Sequence, residues 1–221
     1  HLYHKLSRRT SLEPISIATL SAAGISTVLS AFTFWFVFLH RGKVKMTQPT
    51  LLFLGRDGDG DGQFKVFLRS SLFSTSKRGH IIENMFATLS MDDDSHSFAF
   101  WAHRTDDSSR IVRGSGLAAT ENGIACDHHF VLSKQITTFE LVPGKYTVNV
   151  HAKLVGRNRT VKLGVCQIEI TESDCLALRN RDNGIYFDLE PDGNYSSHIE
   201  TRPNRRFDIG DMATLIANGR N

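Results

Sequence analysis

The sequence predicts a mainly β protein: an immunoglobulin-like antiparallel β-sandwich preceded by one N-terminal transmembrane helix. Three observations carry that expectation. Residues 15 to 39 hold no charged side chain, in a chain of 221 residues that is 22% charged. From residue 48 the texture changes to short runs rich in β-branched and aromatic residues, broken by Gly, Asp and Asn. Within them, Phe139-Glu-Leu-Val-Pro-Gly-Lys-Tyr146 has the form of a tyrosine corner, in which a turn leads into a strand whose tyrosine hydroxyl bonds back to nearby backbone.

The apolar run comes first, after a tail spanning 1–14. It exceeds the about 20 residues needed to cross a hydrocarbon core about 30 Å thick. Buried helices of soluble domains rarely stay charge-free for so long. A cleaved signal peptide has an apolar core of about 7–15 residues ending at a small-residue site. Here the run closes Phe38-Leu39-His40-Arg41, so an uncleaved single-pass anchor over 15–39 is expected. Trp35 stands near its C-terminal end, where an interfacial indole is favoured. Ala22, Ser26 and Ser30 form a small-residue stripe, a face through which helices pair and the chain would oligomerise.

Lysine and arginine mark the cytoplasmic side of a span. Lys5, Arg8 and Arg9 on one flank balance Arg41, Lys43 and Lys45 on the other. The odd set of Cys126, Cys166 and Cys175 has no metal-type spacing and suits a reducing compartment. Together with the tight basic cluster of the 40–47 linker, that favours a cytoplasmic β-domain. The net charge of +3 is accounted for by the residues flanking the helix. Arg202, Arg205 and Arg206 lie among Glu200, Asp208 and Asp211, so no nucleic-acid footprint forms. The expected partners are the lipid bilayer and a protein.

The β-domain is expected over 48–171, with strands at 49–54, 64–69, 80–90, 96–103, 110–119, 123–132, 137–142, 145–155 and 160–170. Tyr146, Val148, Val150, Ala152 and Leu154 alternate with polar residues, which means one buried and one wet face. Asn122-Gly123 is a hairpin-turn dipeptide. Thr171-Glu-Ser-Asp174 is a capping-box variant opening a short helix to about residue 179. The remainder, 172–221, is expected to be a partly irregular extension with one last short strand at Ile185-Tyr186-Phe187.

Few residues suggest chemistry. Asp57, Asp59 and Asp61, with Gly62, start like a calcium loop. An EF-hand needs a bidentate Glu at its twelfth position, and that place is Leu68. A calcium site there would need distant carboxylates; an acidic hairpin loop is the simpler reading. Cys126-Asp127-His128-His129 is the densest cluster of metal-ligating types. On a strand, Cys126 and His128 share one face while Asp127 and His129 share the other. Two ligands per face fall short of the three or four that zinc requires. A core histidine beside a core thiol fits better than a metal site at Cys126 and His128. A metal-dependent enzyme using His128, His129 and Asp127 is the alternative. The Gly114-Ser-Gly116 to His128 stretch lacks the later nucleophilic serine that a trypsin-like protease needs.

Arg41 to Thr50, Ser74 to Gly79, Ile82 to Phe86, Val112 to Leu117, His128-His-Phe130, Pro143 to Tyr146 and Tyr186-Phe-Asp188 together resemble an uncharacterised bacterial family of single-pass membrane-anchored proteins with an immunoglobulin-like β-sandwich. The resemblance spans about residues 41 to 200. It implies an anchored β-domain and supplies no activity, cofactor or site. The sequence therefore points to a membrane-anchored, non-enzymatic binding or scaffolding module without a cofactor. An accessory subunit of a larger membrane assembly is the further alternative.

Overall fold

A computed structural model describes residues 14–40, 42–56, 62–106, 110–114, 116–133 and 139–201. The chain divides into two units, 1–41 and 42–221.

In the first unit, helix α1 runs from Pro14 to Phe34. Its final turn, Trp35–Leu39, widens to π geometry and closes where His40 N–H donates to Trp35 O at 2.9 Å. Proline suits a first helical position, because the N–H it lacks would have no partner there. Thr27 and Thr33 hydroxyls donate to the carbonyls of Ala23 and Leu29, which satisfies them within the helix. The stretch Thr19–Leu39 has mean hydropathy 1.8 and no buried residue. It is long and apolar enough to span a membrane.

The second unit is built of antiparallel strands in two sheets, the mainly β architecture expected. They are β1 (Val44–Met46), β2 (Leu51–Arg56), β3 (Phe64–Ser74), β4 (His80–Met91), β5 (Asp94–Phe98), β6 (Phe100–Thr105) and β7 (Val112–Arg113). After them come β8 (Leu117–Ala119), β9 (Ile124–Val131), β10 (Gly144–Leu154), β11 (Thr160–Ile170), helix α2 (Glu172–Ala177), β12 (Asn183–Leu189) and β13 (Tyr195–Thr201). One sheet has the order β13-β12-β2-β3-β9-β6-β7, and β1 lies beside the far half of β3. The other has the order β11-β10-β4-β5, with β8 on the same strand edge as β5.

The core forms between their inner faces. Leu52, Leu54, Val66, Leu68, Phe130 and Ile185 of the first sheet join Ile82, Met85, Leu89, Val148, Val150 and Ile168 of the second. The alternation in β10 is as read: Tyr146, Val148, Val150, Ala152 and Leu154 are all buried. The outer face of the first sheet departs from the expected wet surface. Tyr186, Phe53, Phe67, His129 and Ala102 lie side by side in register across five strands. All five are buried. The Phe53 ring leans over two glycines, and a Cβ on Gly184 would come within 2.1 Å of it.

Several expected elements differ. The run 96–103 splits at Ala99: β5 pairs with β4, and β6 crosses to pair with β9. The run 110–119 likewise divides into β7 and β8, in different sheets. Asn122-Gly123 does form a turn, with Gly123 at φ +73° and its N–H on Thr120 O. That turn passes from one sheet to the other instead of closing a hairpin. Residues 139–142 are not a strand, because Phe139 turns inward to pack on Phe64 at 4.9 Å and on Phe98. The sandwich also begins earlier and ends later than 48–171. Val44–Met46 already pairs with β3, and the β12–β13 hairpin completes the first sheet beside β2. Part of the expected linker and of the irregular extension thus belongs to the domain.

Candidate functional site

The structure separates the residues that the sequence singled out. Asp57, Asp59 and Asp61 lie outside the described residues; β2 and β3 flank them as paired strands. Cys126 and His128 sit on the inner face of β9, both within the core. Burial, with the charge of Asp127 next, pushes the Cys126 thiol up to about 12. Burial, with His103 beside it, holds His128 down to about 3. Its Nδ1 accepts a hydrogen bond from Trp101 Nε1 at 3.3 Å, and its Nε2 is buried without a hydrogen-bond partner. His103, whose pKa burial also lowers, is the direct cross-strand neighbour of His128 and stacks on Trp101 at 4.8 Å.

Asp127 and His129 occupy the opposite face of β9. Asp127 is engaged by Arg104, through Nε at 3.2 Å and also through Nη2, and by Arg69 at 3.6 Å. His129 is held down to about 3 by burial, then by Lys65, His128 and Arg104. The three residues of the enzymatic alternative are therefore divided by the sheet. Burial disfavours the Cys126 thiolate and the charged forms of His128 and His129. Among the described residues, no three metal-ligating side chains come together.

A different place has the form of a binding site. At one end of the sandwich, α2, the 139–143 corner and the ends of β2, β3 and β12 enclose a cleft of about 530 Å³. Ligand clefts typically measure about 300–1,000 Å³. Two local devices, both readable in the sequence, fix its walls. In the corner, Tyr146 Oη donates to Val142 O at 3.0 Å and accepts from Val142 N–H at 3.1 Å. At the start of α2, Thr171 Oγ1 accepts from Asp174 N–H at 3.2 Å, while Asp174 Oδ2 accepts from Thr171 N–H at 2.9 Å. This reciprocal box is the expected N-terminal cap. It makes a helix as short as α2 definite.

The apolar lining comes from Phe64, Phe139, Leu141, Val142, Leu176 and Leu178. Arg56, Arg179 and Arg181 bring positive charge to it, and Glu140 and Glu172 bring negative charge. Among the described residues, the guanidinium groups of Arg56 and Arg179 have no ion pair or hydrogen bond. Cys175 also lines the cleft; burial and its neighbours Asp174 and Glu172 raise its pKa, so it is a thiol and not a thiolate. Sequence reasoning missed Arg56, Glu140 and Arg179. They carry no motif, and only the fold brings them together.

No protein-family model and no curated protein sequence matches the chain. Among solved structures, a family 123 glycoside hydrolase from Clostridium perfringens is similar at TM-score 0.31 and 8% identity, over 58% of this chain and 27% of the hydrolase. The CooA pilin subunit from enterotoxigenic Escherichia coli is similar at TM-score 0.29 and 10% identity, over 58% of this chain and 97% of the pilin. At those scores neither likeness supports an assignment of function.

Proposed function

We propose that this chain is a membrane-held, non-enzymatic binding module that takes its ligand in the cleft beside α2. The observation that carries the reading is the combination found there. Walls are held by the tyrosine corner and the capping box, the lining mixes apolar Phe64, Phe139 and Leu178 with charged side chains, and Arg56 and Arg179 have no ion pair among the described residues. Binding clefts combine apolar surface with a few placed polar groups. In this reading α1 is a single-pass anchor and the β-domain is cytoplasmic, where the free thiols Cys126, Cys166 and Cys175 stay reduced.

A photo-crosslinking residue at Glu140 or Leu176, in the full chain in its native membrane, tests the binding reading. A crosslinked species at these positions, and none at Thr147 on the far face of the second sheet, is the expected result. Equal labelling at all three, or none at the cleft, would overturn it. An impermeant thiol reagent applied to a variant with an added surface cysteine at Lys77 tests the orientation. Labelling only after lysis is expected, and labelling of intact cells would refute it.

A further inference from the structure

We propose that the end of the β-domain at which its chain begins docks on anionic lipid headgroups. The proposal rests on α1 being a membrane anchor. It is independent of the cleft, which lies at the opposite end of the sandwich.

Four segments meet at that end. The chain enters at Gly42, which has φ +59°; a Cβ there would come within 2.7 Å of Ser76 Cβ. Lys43 is then clamped to the β3–β4 turn. Its N–H donates to Thr75 Oγ1 at 2.8 Å, and its carbonyl accepts from Thr75 N–H at 2.9 Å. The β8–β9 turn joins through Ser74 N–H on Thr120 O at 2.8 Å, and the β10–β11 turn through Val155 N–H on Ile81 O at 2.9 Å.

These segments carry Lys43, Lys77, Arg78, Arg157 and Arg159; Arg157 is half-buried and the rest are exposed. None of the five side chains has an ion pair among the described residues. Lys45 and Lys162, also exposed, extend the positive charge onto β1 and β11. Glu121 is the single acidic residue of the four segments, and it leaves an excess of four positive charges (five minus one). Glu83 and Asp106 do not reduce it, because Lys153 and Arg69 pair with them. Outside the described residues, position 41 is Arg and 107–109 includes Asp107, charges that cancel. The β4–β5 turn, at the opposite end, carries Asp92 and Asp93 instead.

The tether selects the partner. From Leu39, where the apolar stretch ends, to Lys43 is four residues, at most about 14 Å of chain. The clamp on Thr75 adds no slack, so Lys77 and Arg78 are carried with Lys43. An acidic protein or an RNA would have to arrive by diffusion, whereas a bilayer surface is held there at high effective concentration. Each lysine or arginine near an anionic bilayer gains about fivefold in affinity, within a Debye length of about 10 Å. Docking there stands the sandwich on end, with the cleft turned away from the bilayer.

The test is lipid crosslinking in the full chain held in nanodiscs. A photo-crosslinking residue replaces Asn158, Asp93 or Leu29, one at a time, and captured lipid is read by mass spectrometry. Nanodiscs of about one third phosphatidylglycerol in phosphatidylcholine are compared with phosphatidylcholine alone. Both faces of a nanodisc carry the same lipid, so the result does not depend on orientation. Asn158 should capture lipid at least about fivefold more on the anionic discs, and lose that gain at about 1 M salt, where the Debye length is about 3 Å. Asp93 should capture none, and Leu29, in the anchor, should capture lipid equally on both. The variant Lys77→Gln, Arg78→Gln, Arg157→Gln, Arg159→Gln removes only unpaired side chains. It should lower Asn158 capture at least about fivefold and leave Leu29 and the urea midpoint unchanged. Replacing the three arginines by lysine should keep the capture. Equal capture at Asn158 on neutral and anionic discs, capture unaffected by the four substitutions, or equal capture at Asp93 would each overturn the proposal. An acidic protein or RNA caught at Asn158 in native membranes, in place of lipid, would reassign the surface. No lipid at Leu29 would remove the anchor and this proposal together. The cleft is read separately from Glu140 and Leu176, so either reading can fall while the other stands.

Discussion

Acid should destabilise the β-domain well before its carboxylates titrate. His128 and His129 are adjacent on β9, fully buried on opposite faces, and each is held down to about 3. In the unfolded chain a histidine titrates near about 6.5. Between those two values the unfolded chain takes up a proton that the folded chain refuses. Stability contributed by the neutral rings is therefore complete above about 6.5 and is lost as pH falls. Each ring makes the slope about 1.4 kcal/mol per pH unit. From pH 7 to pH 5 that amounts to about 2 kcal/mol for one histidine and about 4 for both, a large part of the 5–15 kcal/mol that holds a domain together. His103, shifted the same way, adds to the fall. Urea unfolding of the full chain in micelles, followed by the emission of buried Trp101, measures it. His128→Gln keeps an acceptor for the Trp101 N–H and removes one titration, so its loss between pH 7 and pH 5 should be smaller by about 2 kcal/mol. Equal wild-type stability at the two pH values, or a variant that keeps the whole fall, would refute the reasoning.

The ion cluster on the outer face should be unequal in its parts. Arg104→Ala strips buried Asp127 of its closest cation and should cost about 3 kcal/mol, whereas Arg69→Ala, at an exposed side chain, should cost under about 1, both read as urea midpoints. Gly114→Ala places a Cβ within 1.8 Å of Trp101 Cε3, so the indole must move; about 1–3 kcal/mol of destabilisation and a shifted Trp101 emission are expected, and unchanged emission would count against the packing described. Thr171→Ala removes the cap of α2 and should cost about 1 kcal/mol, with faster amide exchange at Asp174 and no change in β10. Tyr146→Phe should cost only about 1 kcal/mol, because half-exposed Val142 can turn to water, yet its amide should lose exchange protection.

The fold was readable where the physics is local. Strict alternation in β10 placed five side chains on one face, and a tyrosine hydroxyl meeting backbone four residues away needs no long-range information. The capping box spans four residues and was equally plain. The errors came where one run of sequence serves two sheets. Residues 96–103 read as one strand because both halves are β-prone; the crossing at Ala99 is imposed by the partners β4 and β9 and leaves little mark on composition. The outer face of the first sheet misled for a related reason. Its row Tyr186, Phe53, Phe67, His129, Ala102 draws one residue from each of five strands, so no single strand reveals it. Asp127 and His129 were read only as the face opposite Cys126 and His128; both are buried, and His129 lies within that row.

The cleft shows why the site was harder to read than the fold. Its walls are motifs, but its charges are not. Arg56, Glu140 and Arg179 come from three segments separated by dozens of residues or more. They converge because β12 pairs with β2, setting Gly184 beside Gly55 and bringing the segment that follows α2 to the end of β2. The sequence reading placed a short strand at Ile185-Tyr186-Phe187 but not its pairing with β2, and that pairing is what assembles the site. Sequence drew attention instead to Cys126 and His128, where potential ligands crowd together along the chain. Proximity along a strand alternates faces, and there it put a thiol and an imidazole into the core. A lone arginine at a strand end carries no signal of its own. Its meaning here comes from what the completed sheet places near it: part of an apolar wall and a second guanidinium, with no carboxylate bonded to either among the described residues.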